Sequence, residues 1–181
     1  HTSAGRIPTE KAYRYYVEHC VGGAALAEKE QQQIRERTDD ADDARAALKE
    51  LAKAIAEIAR LAVLVGFTPR DVYYTGLSYL FSQPEFSHVA EVTTLSRVLD
   101  HLDETMERLA GESEQSSVLI GEENPFGTIA SAIIVRQETE NGMSLLAILG
   151  PQRMRYRENI ALAHFARTMI GEYSHGRTHK E

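Results

Sequence analysis

IASAIIVRQETENGMSLLAIL, residues 129–149, is the stretch that decides the fold. Two runs rich in Ile, Val and Leu, 129–137 and 144–149, flank Asn141-Gly142. Asn-Gly between two such runs is the strongest short signal for an antiparallel hairpin. Gly150-Pro151 ends the second strand, since proline cannot continue a ladder. Outward from this hairpin, 62–67 (AVLVGF), 72–74 and 117–121 (SVLIG) read as three further short strands.

Helical spacing takes over between them. Ala44, Leu48, Leu51, Ile55, Ile58 and Ala62 recur in steps of three and four, as do Val92, Leu95, Leu99, Leu102, Met106 and Leu109 on a helix ending at Gly111. A final amphipathic helix spans 155–173, with Tyr156, Ile160, Ala163 and Ile170 on one stripe and Leu162, Phe165, Met169 and Tyr173 beside it. At the other end of the chain, the Thr9 hydroxyl is expected to cap a helix carrying Tyr13, Tyr16, Val17, Cys20 and Val21, closed by Gly22-Gly23. Residues 24–37 form helix readily but show a thin apolar face, Leu26 and Ile34, and so read as a solvated or partner-dependent helix. The acidic run Asp39, Asp40, Asp42, Asp43 feeds the next helix N-terminus, and 76–86 is a short helix interrupted at Pro84. The pattern implies an α+β fold: an antiparallel sheet covered by helices and preceded by an N-terminal helical segment.

At 181 residues the chain is the size of one domain, large enough to bury a core without disulfides. Lys and Arg number 20 and Asp and Glu 27, a net charge of −7 that excludes a surface basic all over for nucleic acid. With Cys20 alone, neither an internal disulfide nor a four-thiolate zinc site can form, which points to a reducing, cytoplasmic setting. The apolar runs fall far short of the ~20 residues that span a bilayer, so no membrane role is expected. No signal-peptide pattern opens the chain, which begins at His1 rather than Met and reads as a fragment.

Nothing in the sequence reads as an enzyme. Neither G-x-G-x-x-G nor G-x-x-x-x-G-K-[ST] occurs, and no cofactor is expected. Glu122 and Glu123 are neighbours on an extended segment, point to opposite sides, and read as a solvated turn. Cys20, beside Val17 and Val21, reads as a buried, inert thiol. His175 and His179 have the i, i+4 spacing of a metal pair, but Gly176 weakens a helix there and no metal site is expected; His164 reads as structural. Tyr13, Arg14, Tyr15 and Tyr16 could stack on nucleic acid, although tyrosines so grouped more often anchor a helix while their hydroxyls stay wet.

Four stretches carry more than periodicity: HTSAGRIPTEKAYRYYV at 1–17, GLSYLFSQPEF at 76–86, IGEENP at 120–125 and LGPQRMRY at 149–156. In this order they resemble the heat-inducible transcription repressor family (HrcA). The resemblance implies a winged helix ahead of a GAF-like domain into which a dimerising domain is inserted. It also implies a homodimer on an inverted-repeat operator upstream of chaperone genes, and maintenance of the repressor by the chaperonin. On this likeness HTSAGR is the tip and return of the wing, which makes Thr2, Ser3 and Arg6 candidates for contact with the DNA backbone. The motif residues carried over are Gly76, Gln83, Pro84, Glu85, Phe86, Gly121, Glu123, Asn124, Gly150, Pro151, Arg153, Met154 and Tyr156.

The departures from the family are specific. The chain itself is expected to carry no winged helix, and the segment usually found between Phe67 and Thr68 is missing, so the sheet is expected to be reduced. Ala12 stands where the family tends to have glycine, and Arg155 where it tends to have aspartate. The organisation expected is a wing remnant and linker at 1–9, a helical linker at 10–61, a reduced GAF-like regulatory domain at 62–174 and a flexible tail at 175–181. Two functions follow. One is the regulatory and dimerising part of a repressor, in which apolar helix seams hold two chains so that two winged helices meet two half-sites. The other is a GAF-like module that senses a small ligand, or a stand-alone dimerisation protein that does not bind DNA.

Overall fold

The computed structural model describes residues 8–68, 71–86 and 89–174. Three helices come first: α1 (Glu10–Cys20), α2 (Glu28–Asp39) and α3 (Ala44–Ala59). Strands β1 (Ala62–Thr68) and β2 (Asp71–Thr75) lead to α4 (Leu77–Phe81), a 3-10 turn at Pro84–Phe86, α5 (Val89–Asp100) and α6 (Leu102–Ala110). Then come β3 (Ser116–Ile120), a second 3-10 turn at Gly121–Glu123, β4 (Ala130–Thr139), β5 (Gly142–Pro151) and α7 (Tyr156–Ser174). The sheet has five strands in the order β2-β1-β5-β4-β3, and every neighbouring pair is antiparallel.

Both faces of this sheet are covered, which is why its central strands read as nearly unbroken apolar runs. Successive residues of a strand point to opposite faces. Val63, Val65, Ile133, Val135, Leu146 and Ile148 join the core beneath α3 and α7. The residues between them, Ala62, Leu64, Ala132, Ile134, Leu145, Ala147 and Leu149, join a second core with Leu102, Met106 and Leu109 of α6. The α+β expectation is met, with the N-terminal helices in place.

Local differences have local causes. The hairpin turns on Glu140 and Asn141, with Thr139 facing Gly142. Gly142 carries the positive φ (104°), so the glycine works one place later than a two-residue Asn-Gly turn requires. The Thr9 hydroxyl makes no cap; its carbonyl accepts from Ala12 and Tyr13 instead. Asp43 caps α3, accepting from the Ala46 amide at 2.7 Å. The seam expected over 92–109 belongs to two helices that part at His101, whose backbone is not helical. A three-four seam continues across such a break, so spacing alone does not register it.

Two further expectations are overturned. The thin helix α2 is covered within the chain: Ile34 is fully buried, and Arg35 and Arg37 tie α2 to Glu172 of α7 and Glu57 of α3. The apolar seam of α3 is likewise consumed inside this one chain, with Leu51 and Ile55 fully buried between the sheet and its neighbouring helices. Leu102, Met106 and Leu109 of α6 are spent in the second core. The α3 seam and the α6 half of the later one are therefore not surfaces that hold two chains together. Cys20 is exposed rather than buried, because its side of α1 faces away from the sheet.

Candidate functional site

The sequence motifs meet at one end of the sheet. β1 begins there at Ala62, β2 ends at Thr75, β3 ends at Ile120, β4 begins at Ala130 and β5 ends at Pro151. Gly76 follows β2 with φ +76°, and a Cβ on it would run into the Leu61 carbonyl. Gly150 packs against the Leu61 side chain, where a Cβ would stand 2.7 Å from Cδ2. Two motif glycines thus close around one buried leucine.

The connections that follow the strands are tied to one another. Arg153 forks onto the Glu85 carboxylate and reaches the Gln83 side-chain oxygen at 3.2 Å, joining the fourth motif to the second. Burial pushes the Glu85 carboxyl up, but the Arg153 hydrogen bond and a backbone N–H outweigh it and leave the group below its usual range. Phe86 enters the α6-side core and Met154 the α3-side core, Pro151 is buried, and Pro84 remains exposed. Asn124 is buried, and its Oδ1 accepts from the Phe126 amide. Tyr156 is buried too, and its hydroxyl lies 2.9 Å from Ser131 Oγ and 2.8 Å from the Gln152 carbonyl. Burial pushes that phenol up to about 12.

Onto this end docks α1, a helix with no buried residue of its own. Tyr13 sets its ring against Tyr156, centroids 5.8 Å apart. Arg14 donates to Glu10 at 2.6 Å, to Glu123 at 2.5 Å and to the Ile120 carbonyl at 2.8 Å. Glu123, exposed on its turn as expected, also accepts from the Ile120 amide at 3.1 Å, so its carboxylate is a fixed partner. Its hydrogen bonds to Glu10 and then to Glu123 hold the Arg14 guanidinium above its usual value. Gly121, at φ +69°, leaves room for the Glu10 carboxylate, since a Cβ there would overlap it.

Sequence reading found the motif segments but missed the dock. It weighs Tyr13, Arg14, Tyr15 and Tyr16 as a stacking surface against the commoner helix anchor; the structure turns Tyr13 and Arg14 inward and leaves Tyr15 and Tyr16 exposed. The partners of Arg14 lie as much as 109 residues away, which no spacing rule reaches. Glu10, four residues before Arg14, was the one local signal. Thr2, Ser3, Arg6, His175 and His179 lie outside the described residues. The α6 side of the sheet is filled by Leu80, Phe86, Leu102, Met106 and Phe126. Among the described residues no helix is long and apolar enough to cross a membrane.

Comparison with known proteins gives a consistent picture. The family model of the HrcA protein C terminal domain matches residues 13–160. A heat-inducible transcription repressor HrcA from Thermodesulfovibrio yellowstonii is 28% identical over 109 residues, 57% of this chain and 31% of that protein. The protein of the same name from Desulforudis audaxviator is 34% identical over 104 residues, 54% of this chain and 30% of its own length. The chain thus spans about a third of the length of these curated relatives. A crystal structure of a hypothetical protein superposes with a TM-score of 0.68 at 13% identity, covering 96% of this chain and 80% of that one. That similarity shows the fold and nothing further.

Proposed function

The chain belongs to the HrcA family of heat-inducible transcription repressors, and from that membership we propose that it is the regulatory and pairing part of a repressor of chaperone operons. In this reading a winged helix outside this chain binds an inverted-repeat operator in the cytoplasm. The chain fixes the position of that winged helix within a homodimer. Thr2, Ser3 and Arg6 add contacts to the DNA backbone, and the chaperonin maintains the repressor.

The observation that carries this reading is the docking of α1. The segment that the family likeness places just after the wing is fastened by Arg14 to Ile120 and Glu123, at the end of the sheet where the other motifs meet. A lever seated by one carbonyl and one carboxylate of the domain, with Glu10 of α1 steadying the same guanidinium, transmits the attitude of the domain to whatever precedes it. With the α3 and α6 seams consumed, pairing falls to what stays open, including the outward side of α1 with Tyr15 (62% exposed) and Tyr16 (40% exposed). Tyrosine so exposed is enriched in interfaces.

Deleting the gene that carries this sequence and measuring chaperone-operon transcripts at growth temperature tests the proposal. Transcripts are expected to rise several-fold and to fall again when the gene is restored. Unchanged transcripts would overturn the reading.

A further inference from the structure

Beside the dock lies a second concave feature. Between α1, β3 and α7 runs an open groove of about 690 Å³, within the roughly 300–1,000 Å³ of typical ligand sites. Val118 and Ile133, paired across the strands, form its floor; Val17 of α1 and Ile160 of α7 line its sides. Glu18 and Glu114 stand exposed on its rim. Of the two basic side chains along it, Arg14 is held by Glu10 and Glu123, and the other is His164.

The edge of β3 opens into this groove. Among the described residues β3 pairs with β4 alone. The Arg136 amide donates to the Gln115 carbonyl at 2.8 Å, which turns the backbone of residues 115, 117 and 119 toward β4 and that of 116, 118 and 120 outward. Ile120 confirms the parity, because its N–H goes to Glu123 and its carbonyl to Arg14. Ser116 and Val118 therefore present N–H and C=O groups to the groove, while the third outward position is already occupied.

We propose that this groove binds an extended peptide segment, an apolar side chain flanked by lysine or arginine, that joins the sheet along β3 opposite Ser116 and Val118. Backbone pairing supplies the register, the Val118–Ile133 floor takes the apolar side chain, and Glu18 and Glu114 favour the basic flanks. A second copy of β3 fits poorly. Two-fold pairing about Val118 would set Ser116 against Ile120 of that copy, whose outward groups are taken, and would bring two acidic rims together.

The test uses the full chain and a peptide labelled at its N-terminus, carboxyfluorescein-Gly-Arg-Val-Lys-Val-Arg-amide, followed by fluorescence anisotropy. N-methylation of one alternate set of its amides is expected to weaken binding at least about tenfold, and of the other set less than about twofold. Amide exchange at Ser116 and Val118 should slow on binding, while Ser117 and Leu119, already paired, should not change. Glu18→Gln combined with Glu114→Gln should weaken binding several-fold and flatten its salt dependence. The proposal is overturned by no binding at about 1 mM peptide, by equal loss with both methylated sets, by protection that maps elsewhere, or by self-association that excludes the peptide.

Discussion

Glu10 and Gly121 share one volume: the carboxylate of the first lies where a Cβ on the second would stand. The helix that carries Glu10 can seat only because position 121 is glycine, at a positive φ that glycine alone adopts without strain. Gly121→Ala is therefore expected to cost about 1–2 kcal/mol, from backbone strain and from displacing Glu10 out of reach of Arg14. The loss should be uneven. Amide exchange should accelerate over α1 while β4 and β5 keep their protection, as hydrogen-exchange mass spectrometry would show. Arg14→Lys should undock α1 in the same way, because a single ammonium lacks the fork that reaches two carboxylates and a carbonyl at once. An unchanged exchange pattern in both variants would show that α1 is held by Tyr13 and Val17 alone.

Leu61 separates two glycines that look alike in sequence. A Cβ on Gly76 meets the Leu61 carbonyl, whereas a Cβ on Gly150 meets the Leu61 side chain. A carbonyl in the turn from α3 into β1 cannot yield, so Gly76→Ala should cost ~3 kcal/mol or more, positive φ included. Gly150→Ala should cost ~1–3 kcal/mol of overpacking. Leu61→Ala should relieve the second and not the first. Urea denaturation of the single and double variants measures this, with coupling of at least ~1 kcal/mol expected for the 61–150 pair and none for the 61–76 pair.

The same contrast shows what was legible in the sequence. The strands were, since burial on both faces writes itself as runs such as AVLVGF and SLLAIL, and so was the final helix. Gly76, Gly121 and Gly150 stood out as motif members, but what each makes room for belongs to residues distant in the chain. The reach of Arg14 to Glu123 crosses 109 residues of sequence, and Ile34 anchors in the core a helix whose composition shows little apolar face. Periodicity reports which face of an element is apolar. It does not report whether the covering surface comes from the same chain, so the α3 seam, covered within this one, reads in sequence as a dimer contact.

The tie between Arg153 and Glu85 gives the acid side of the stability profile. The Glu85 carboxyl sits below its ordinary value when folded, so its contribution is present above the unfolded value of 4.5 and is lost as pH falls through the folded one. Both partners are partly solvated, with 51% and 29% of their side chains exposed, which limits the pair to about 0.2–1 kcal/mol. Glu85→Gln should therefore lower stability by that amount at neutral pH and by nothing at an acid pH below the folded value. Equal loss at both pH values, read from thermal unfolding, would show that Glu85 acts through packing and not charge.

Tyr156 sets the alkaline side. Its hydroxyl is buried between Ser131 and the Gln152 carbonyl, and burial raises the phenol from 10.0 to about 12. An acid whose folded value is raised favours the folded state while it stays protonated. Its contribution is complete below pH 10 and fades as pH climbs toward the folded value of about 12. Stability should then fall across that window with the release of one additional proton on unfolding, and Tyr156→Phe should remove this dependence. At neutral pH the same variant should cost ~1–2 kcal/mol, because Ser131 and the Gln152 carbonyl each lose a buried partner. Denaturation midpoints of the two proteins between pH 8 and pH 11.5, a range chosen to span roughly the onset of tyrosine ionisation, measure both effects. If their alkaline slopes are parallel, another group governs the alkaline loss and the Tyr156 hydroxyl is open to solvent.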